Sequence, residues 1–192
     1  MTAHMTALLP AFADPVLESQ AVFRAVLDAM ARPGRLHTVA APATPPPPLD
    51  RATAAVLLTL VDAETPLFLG ADAAGEWVAF HCGAPCVEPA LAHFAVCLET
   101  PPFAALSAGS DEEPERSATL ILQVAALGEG DRFLLRGPGL AETATLAVRG
   151  LAPGFGAFWA ANRRLFPRGI DVILCAGDRL AALPRTVAME PA

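Results

Sequence analysis

The chain has 192 residues, of which 54% are hydrophobic and 17% are charged, with a mean hydropathy of +0.44 and a net charge of −7. This length suffices for one substantial core, so we expect a single domain over residues 1–192. The acidic balance and the scattered arginines disfavour nucleic-acid binding and attraction to anionic membranes. The apolar runs fall far short of the roughly 18 residues that span a bilayer.

The N-terminus, MTAHMTALLPAFADPVLE, has no basic region of the kind that opens a secretory signal. We therefore expect a cytoplasmic protein with reduced thiols. Apolar residues in excess of what one interior can bury usually form a partner interface, so we expect an oligomer or a complex subunit. An alanine-rich composition is the alternative explanation for part of this excess.

All thirteen basic residues are arginine, and the chain contains no lysine. Pyridoxal-phosphate enzymes and class I aldolases need a lysine amine for their Schiff base. P-loop nucleotidases need a lysine that reaches the phosphates. The sequence excludes these classes, and we expect no cofactor.

The first predicted element is a helix, because Asp14 followed by Pro15 is typical of a helix N-terminus. Pro33-Gly34 ends it. The apolar residues that recur at helical spacing in between are Phe23, Val26, Leu27 and Met30. Further on, the patterns predict strands at 35–40, 66–70 and 93–98, a stiff PPPP connector at 45–48, helices at 50–61 and 73–80, and a loop, HCGAPC.

The second half is predicted to be richer in strands, with some antiparallel pairs. The predicted elements are a surface loop at 101–116, the β segments ATLILQVAAL, RFLLRG after a GEG turn, and TATLAV, a helix at 153–166, and a hairpin of 171–176 and 179–184 around Gly177-Asp178. Helices and strands thus alternate through the chain, which predicts an α/β or α+β fold with a mixed sheet between helices.

Two groups of residues allow a functional and an ordinary interpretation. His81, Cys82, Cys86 and His93 are types that ligate zinc, but their spacing is not that of a zinc finger, and small buried thiols are the favoured interpretation. Gly137-Pro138-Gly139 could cradle a phosphate, although it joins two predicted strands and Pro138 lacks a donor. A tight turn is the favoured interpretation there.

Arginines cluster near the C-terminus, and guanidinium groups bind phosphate or carboxylate with two hydrogen bonds. The cluster consists of Arg163, Arg164, Arg168 and Arg185 together with Asp171. Loop positions beside a sheet end often hold ligands. The alternative is an ordinary Arg–Asp salt bridge. Neither a serine–histidine–acid triad nor a carboxylate dyad can be picked out.

Several stretches in order resemble the PhnH family, a subunit of the bacterial carbon–phosphorus lyase system. AVFRAVLDAMARPG is similar to the family's opening FRxxLxAMxxPG. The other matching stretches are ATAAVLLTLVDAETPLFL, FHCGAP, ATLILQVAAL, LRGPGL, LFPRGIDVIL and LPRT. The resemblance covers residues 12–189, with one departure: Cys82 stands where the family pattern has threonine.

The resemblance implies a three-layer α/β/α sandwich similar to the large domain of pyridoxal-phosphate-dependent transferases, but without that cofactor. It implies a homodimer that assembles with the G, I and J subunits, and with L in a shared reaction. That reaction makes a ribose 1-phosphonate 5-triphosphate from ATP and a phosphonate, while another subunit cleaves the C–P bond. The isolated chain is expected not to be catalytic.

Three functional hypotheses follow. The leading one is a structural, accessory subunit of this machinery. The second is a small-molecule-binding or catalytic role through an anion site formed by His81, Arg168, Asp171 and Arg185. The third is a redox or metal-responsive module that uses Cys82 and Cys86.

Overall fold

The structure, a computed structural model, describes residues 11–39 and 44–192. The stretch 1–10, where the sequence predicts no secretory signal, and Ala40, the last residue of the first predicted strand, lie outside the described residues. The described chain is a mixed α/β fold with helices, a mixed parallel and antiparallel sheet and a second, smaller sheet. The predicted α/β class with a mixed sheet is confirmed.

Helix α1 spans Pro15–Ala31 and begins as predicted. The carboxylate of Asp14 accepts a hydrogen bond from the backbone N–H of Leu17 at 3.1 Å, which satisfies one of the donors that a helix start leaves free. The residues that α1 buries are Val22, Val26 and Ala29. Of the apolar residues that recur at helical spacing, Val26 is buried, whereas Phe23 and Leu27 are exposed.

Three further helices lie in the described chain: α2 (Arg51–Leu60), α3 (Gly75–Cys82) and α4 (Phe155–Arg163). The helix predicted at 50–61 is confirmed. Helix α3 starts later than predicted, after a 3-10 turn, and ends later, so that His81 and Cys82 belong to its last turn and not to a loop. Within the described residues no helix combines the length and the apolar content that crossing a membrane requires.

The larger sheet has six strands in the order β1-β8-β7-β4-β3-β2. These are β1 (His37–Thr38), β2 (Leu67–Gly70), β3 (Phe94–Cys97), β4 (Thr119–Gln123), β7 (Asp171–Ala176) and β8 (Arg179–Leu183). Strands β2, β3, β4 and β7 run parallel, and the predicted hairpin adds β8 antiparallel to β7. Strand β1 is shorter than predicted and covers the edge of β8.

The smaller sheet is antiparallel, in the order β6-β5-β9, with β5 (Ala126–Arg136), β6 (Ala144–Arg149) and β9 (Ala188–Pro191). The predicted segment ATLILQVAAL is therefore two strands in different sheets. The predicted GEG turn is also wrong: Gly128-Glu129-Gly130 lies inside β5, where the pairing with β6 shifts register between Leu127 and Asp131. Strand β9 was not predicted.

Two hydrophobic cores lie on opposite faces of the larger sheet. Alternate residues of its strands contribute to each: Val96 and Ile121 to one core, Ala95 and Leu120 to the other. The first core is closed by α1, α2 and α3, and the second by α4 and by strands β5 and β6. Burial on both faces explains the continuous apolar runs that the strands show in the sequence.

Candidate functional site

The strongest ionic contact among the predicted site residues joins Asp171, the first residue of β7, to Arg185. Because β8 runs antiparallel to β7, the chain after Leu183 returns to the amino end of β7. The guanidinium of Arg185 donates to the Asp171 carboxylate through Nη2 at 2.5 Å and through Nε at 3.1 and 3.2 Å. The backbone N–H of Arg185 donates to the same carboxylate at 2.7 Å.

This ionic pair also fastens the loop at 107–116. Nη1 of Arg185 donates to the carbonyl of Pro114 at 2.8 Å, and Arg168 lies 3.0 Å from a carboxylate oxygen of Asp111. The backbone N–H of Gly169 donates to the carbonyl of Ala108 at 2.8 Å. The loop predicted from its polar sequence is thus held against the sheet by Arg185 and Arg168.

His81 lies elsewhere. It is in the last turn of α3, against the rings of Trp77 and Phe80, with centroids 4.8 and 4.9 Å away. Helix α3 follows β2, the edge strand, which is three strands from β7 in the sheet, roughly 14 Å at the usual strand spacing. The structure therefore brings together Asp171 and Arg185, places Arg168 in contact with the loop that Arg185 also contacts, and leaves His81 apart.

The position of the Asp171–Arg185 pair favours a structural role. In open sheets of parallel strands, ligands collect beyond the carboxyl ends of the strands, whereas this pair lies at the amino end of β7. Every donor group of Arg185 described above contacts a protein oxygen. Anion binding by His81, Arg168, Asp171 and Arg185 stays a prediction. The alternative interpretation was an ordinary Arg–Asp salt bridge, and that salt bridge is present between Arg185 and Asp171.

The cysteines are unpaired, and three of the four are buried. Burial raises the pKa of Cys82 and of Cys97 to about 11 and that of Cys175 to about 12, so these thiols stay protonated near neutral pH. Cys86 is exposed. Across the described residues, no group of three or more histidine, cysteine or acidic side chains is placed to hold a metal ion.

Thiol labelling should separate these cysteines. We expect a thiol reagent at pH 8 to modify Cys86 rapidly in the folded protein, because a thiolate must form and be accessible to react. The other three should react only after denaturation. Counting modified thiols by mass spectrometry, with and without denaturant and with Cys86→Ser as control, checks this. Rapid native labelling of Cys82 would contradict the buried assignment.

The first helix carries an outward apolar face that the sequence did not predict. We call Val16, Leu17, Phe23 and Leu27 the α1 apolar face; their side chains are 74%, 64%, 50% and 59% exposed. The helical spacing of Phe23 and Leu27 fits a buried face as well as an exposed one. The excess of apolar residues in the whole chain was a sequence signal for such an exposed face, but it does not say which element carries it.

These features define a mixed α/β protein that has an outward apolar face and in which Arg168, Asp171 and Arg185 contact the protein itself. The chain belongs to the PhnH family, described as bacterial phosphonate metabolism protein, whose model matches residues 10–190. It is similar to the protein of Rhizobium meliloti (strain 1021) named alpha-D-ribose 1-methylphosphonate 5-triphosphate synthase subunit PhnH, at 42% identity over 99% of each chain. It is also 33% identical to HtxG of Stutzerimonas stutzeri, provisionally named a C-P lyase subunit protein, over 87% of this chain and 83% of that one.

Proposed function

We propose that this chain is an accessory subunit of a multi-subunit enzyme of phosphonate catabolism and is not catalytic by itself. The observation that carries the proposal is the 42% identity, over essentially the full length, to a protein named as a synthase subunit. That enzyme's name specifies a ribose 1-methylphosphonate 5-triphosphate as its product. The chain would support formation of such a compound from ATP and a phosphonate.

The α1 apolar face supports assembly with other chains. Val16, Phe23 and Leu27 are spaced at i, i+7 and i+11, which places them along one side of the helix. Isolated exposed apolar residues are ordinary, but a continuous exposed stripe on one helix favours a protein interface. The partners in this proposal are a second copy of the chain and the G, I and J subunits, with L as a further one.

We also propose a domain organisation, an architecture and a location for the chain. It is one PhnH-like domain over residues 1–192, supported by the two cores that share one sheet. Its architecture is a three-layer sandwich related to the large domain of pyridoxal-phosphate-dependent transferases without the cofactor, which the absence of lysine supports. It acts in the cytoplasm, which the four unpaired cysteines support.

A charge on the α1 apolar face should abolish assembly. We expect Phe23→Asp combined with Leu27→Asp to fold normally, because both side chains are exposed, yet to lose co-purification with the partner subunits. A bacterial strain lacking its own copy should then fail to grow on methylphosphonate as phosphorus source when given this variant.

The matched control is Leu91→Asp, the same change at a leucine that is 68% exposed outside α1. It should retain both assembly and growth. If the double variant still co-purifies with its partners in normal ratio, α1 is not the interface. If it assembles but growth is lost, the role of this face is other than assembly.

A further inference from the structure

A pocket of about 590 Å³ lies between α4, β9 and the Gly137-Pro138-Gly139 turn. Its size is within the range of small-molecule sites. Trp159 forms part of its lining and is 1% exposed; its indole Nε1 donates to the carbonyl of Val187 at 2.9 Å. The indole ring lies parallel to the ring of Phe155, with centroids 6.0 Å apart. The hydrogen bond and the ring contact thus hold Trp159 in place, so that it forms a fixed wall of the pocket without a ligand.

The remaining apolar lining is adjustable. Met189 is half-buried, and Phe166 is 64% exposed at the rim. Methionine adapts its shape to a bound group, and an exposed phenylalanine offers a ring face for stacking. One fixed aromatic wall and one exposed aromatic ring at the rim suit a flat organic group.

Two arginines, Arg163 and Arg164, line the same pocket from the end of α4. Both are exposed, and within the described part of the chain neither guanidinium group makes a hydrogen bond or an ion pair. Arg116, Arg149, Arg168 and Arg185, by contrast, each pair with a carboxylate. Glu190 is the acidic residue in the lining, and Arg136 lies opposite the lining residue Ala188 in the β5–β9 pair.

We propose that this pocket binds an organic phosphate, with the phosphate groups on Arg163 and Arg164 and the organic part against Trp159 and Phe166. Guanidinium groups that have no protein partner are available for bidentate contacts with phosphate oxygens. A concentration of positive charge in a chain of net charge −7 favours an anion at this place.

The choice of a phosphate among organic anions rests on the proposed function, since the similar synthase subunit is named for a triphosphate product. The pocket includes Pro138 of the glycine-rich turn, but that proline has no N–H and the N–H of Leu140 is used by the carbonyl of Gly137. The arginines, and not a backbone phosphate loop, therefore provide the anion contacts.

The test is isothermal titration of the full chain with three probes: ATP, inorganic triphosphate and adenosine. ATP should bind more tightly than either fragment, because it fills both parts of the pocket. The double variant Arg163→Ala/Arg164→Ala should weaken ATP binding by roughly tenfold or more, the loss expected for two charge-assisted contacts. The matched control Arg24→Ala, an exposed arginine on α1, should bind ATP as the wild type does.

A second readout reports on the pocket itself. In a Trp77→Phe background, fluorescence comes from Trp159 alone and should change on ATP binding. Absence of saturable ATP binding, or equal binding by the double variant, would overturn the inference. Failure of this inference and failure of the proposed function can be distinguished, because co-purification with partner subunits is scored separately and the α1 variants leave this pocket unchanged.

Discussion

Replacing Gly139 by alanine should destabilise the protein by about 2–4 kcal/mol, as the sum of backbone strain and overpacking. Gly139 has φ +84°, a region that side chains with a Cβ rarely adopt. An added Cβ would lie 2.2 Å from the carbonyl oxygen of Ala31 and 3.1 Å from Cδ of Pro33. The turn could accept it only by moving away from the end of α1.

Gly154→Ala is the matched control for this change. Gly154 has φ +81°, nearly the same backbone conformation, but no atom lies within 4 Å of the added Cβ. It should cost about 1 kcal/mol, from strain alone. Chemical denaturation of both variants measures the difference, which isolates the contact between the turn and α1. Equal costs would mean that the turn does not pack on α1 in solution.

Arg185→Ala should lower the free energy of unfolding by about 2–4 kcal/mol, somewhat below the cost of breaking a fully buried ion pair. The Arg185 and Asp171 side chains are only 16% and 17% exposed, so the carboxylate left behind would be poorly solvated. The carbonyl of Pro114 would also lose its donor. The loop at 107–116 should loosen, and trypsin should cut faster after Arg116.

Arg149→Ala is the control for the ion pair. Its guanidinium lies 2.9 Å from Glu129, but these two side chains are 62% and 60% exposed. Solvent screens such a pair, so the change should cost less than about 0.5 kcal/mol and leave the trypsin sites near 116 as protected as before. A small effect of Arg185→Ala, with the loop still protected, would favour the ligand role predicted from the sequence over the structural one.

The parts of the fold that the sequence predicts well are those with strong local signals. Asp14-Pro15 marks the start of α1, and the hairpin around Gly177-Asp178 is present with its two strands on either side, as the sequence predicts. The parallel strands were found as apolar runs, since both of their faces are buried. These signals need no knowledge of what lies next to them in space.

The sequence predictions are wrong where contacts between residues far apart in the chain determine where an element begins or ends. Nothing local shows that β4 ends at Gln123, whose side chain accepts hydrogen bonds from the N–H of Asp50 at 2.7 Å and from the hydroxyl of Thr53 at 2.8 Å. These contacts join the start of α2 to the sheet across some 70 positions. Gly128 and Gly130 likewise suggest a turn unless the bulge in β5 is known.

The candidate site, too, could be predicted only in part. The sequence identified arginine and aspartate near the C-terminus, and the antiparallel return of β8 brings Asp171 and Arg185 into contact. It could not show that His81 lies three strands away, because that depends on the strand order. Nor could it show that the guanidinium groups of Arg163 and Arg164 have no partner among the described residues, whereas that of Arg168 lies beside Asp111, since this depends on spatial neighbours.

An accessory role and a ligand pocket are compatible in one chain. The α1 apolar face belongs to the layer that closes the first core, and the pocket beside Trp159 belongs to the layer on the opposite face of the sheet. A partner bound at α1 would leave the pocket open to a ligand. Assembly and binding should therefore be separable by mutation.

The most direct measurement is affinity purification of the tagged chain, expressed with the neighbouring subunits, followed by mass spectrometry of the co-purified proteins. An accessory subunit should bring the G and I subunits with it in fixed ratio. Recovery of the chain alone, as a stable monomer or dimer, would contradict the assignment as a complex subunit.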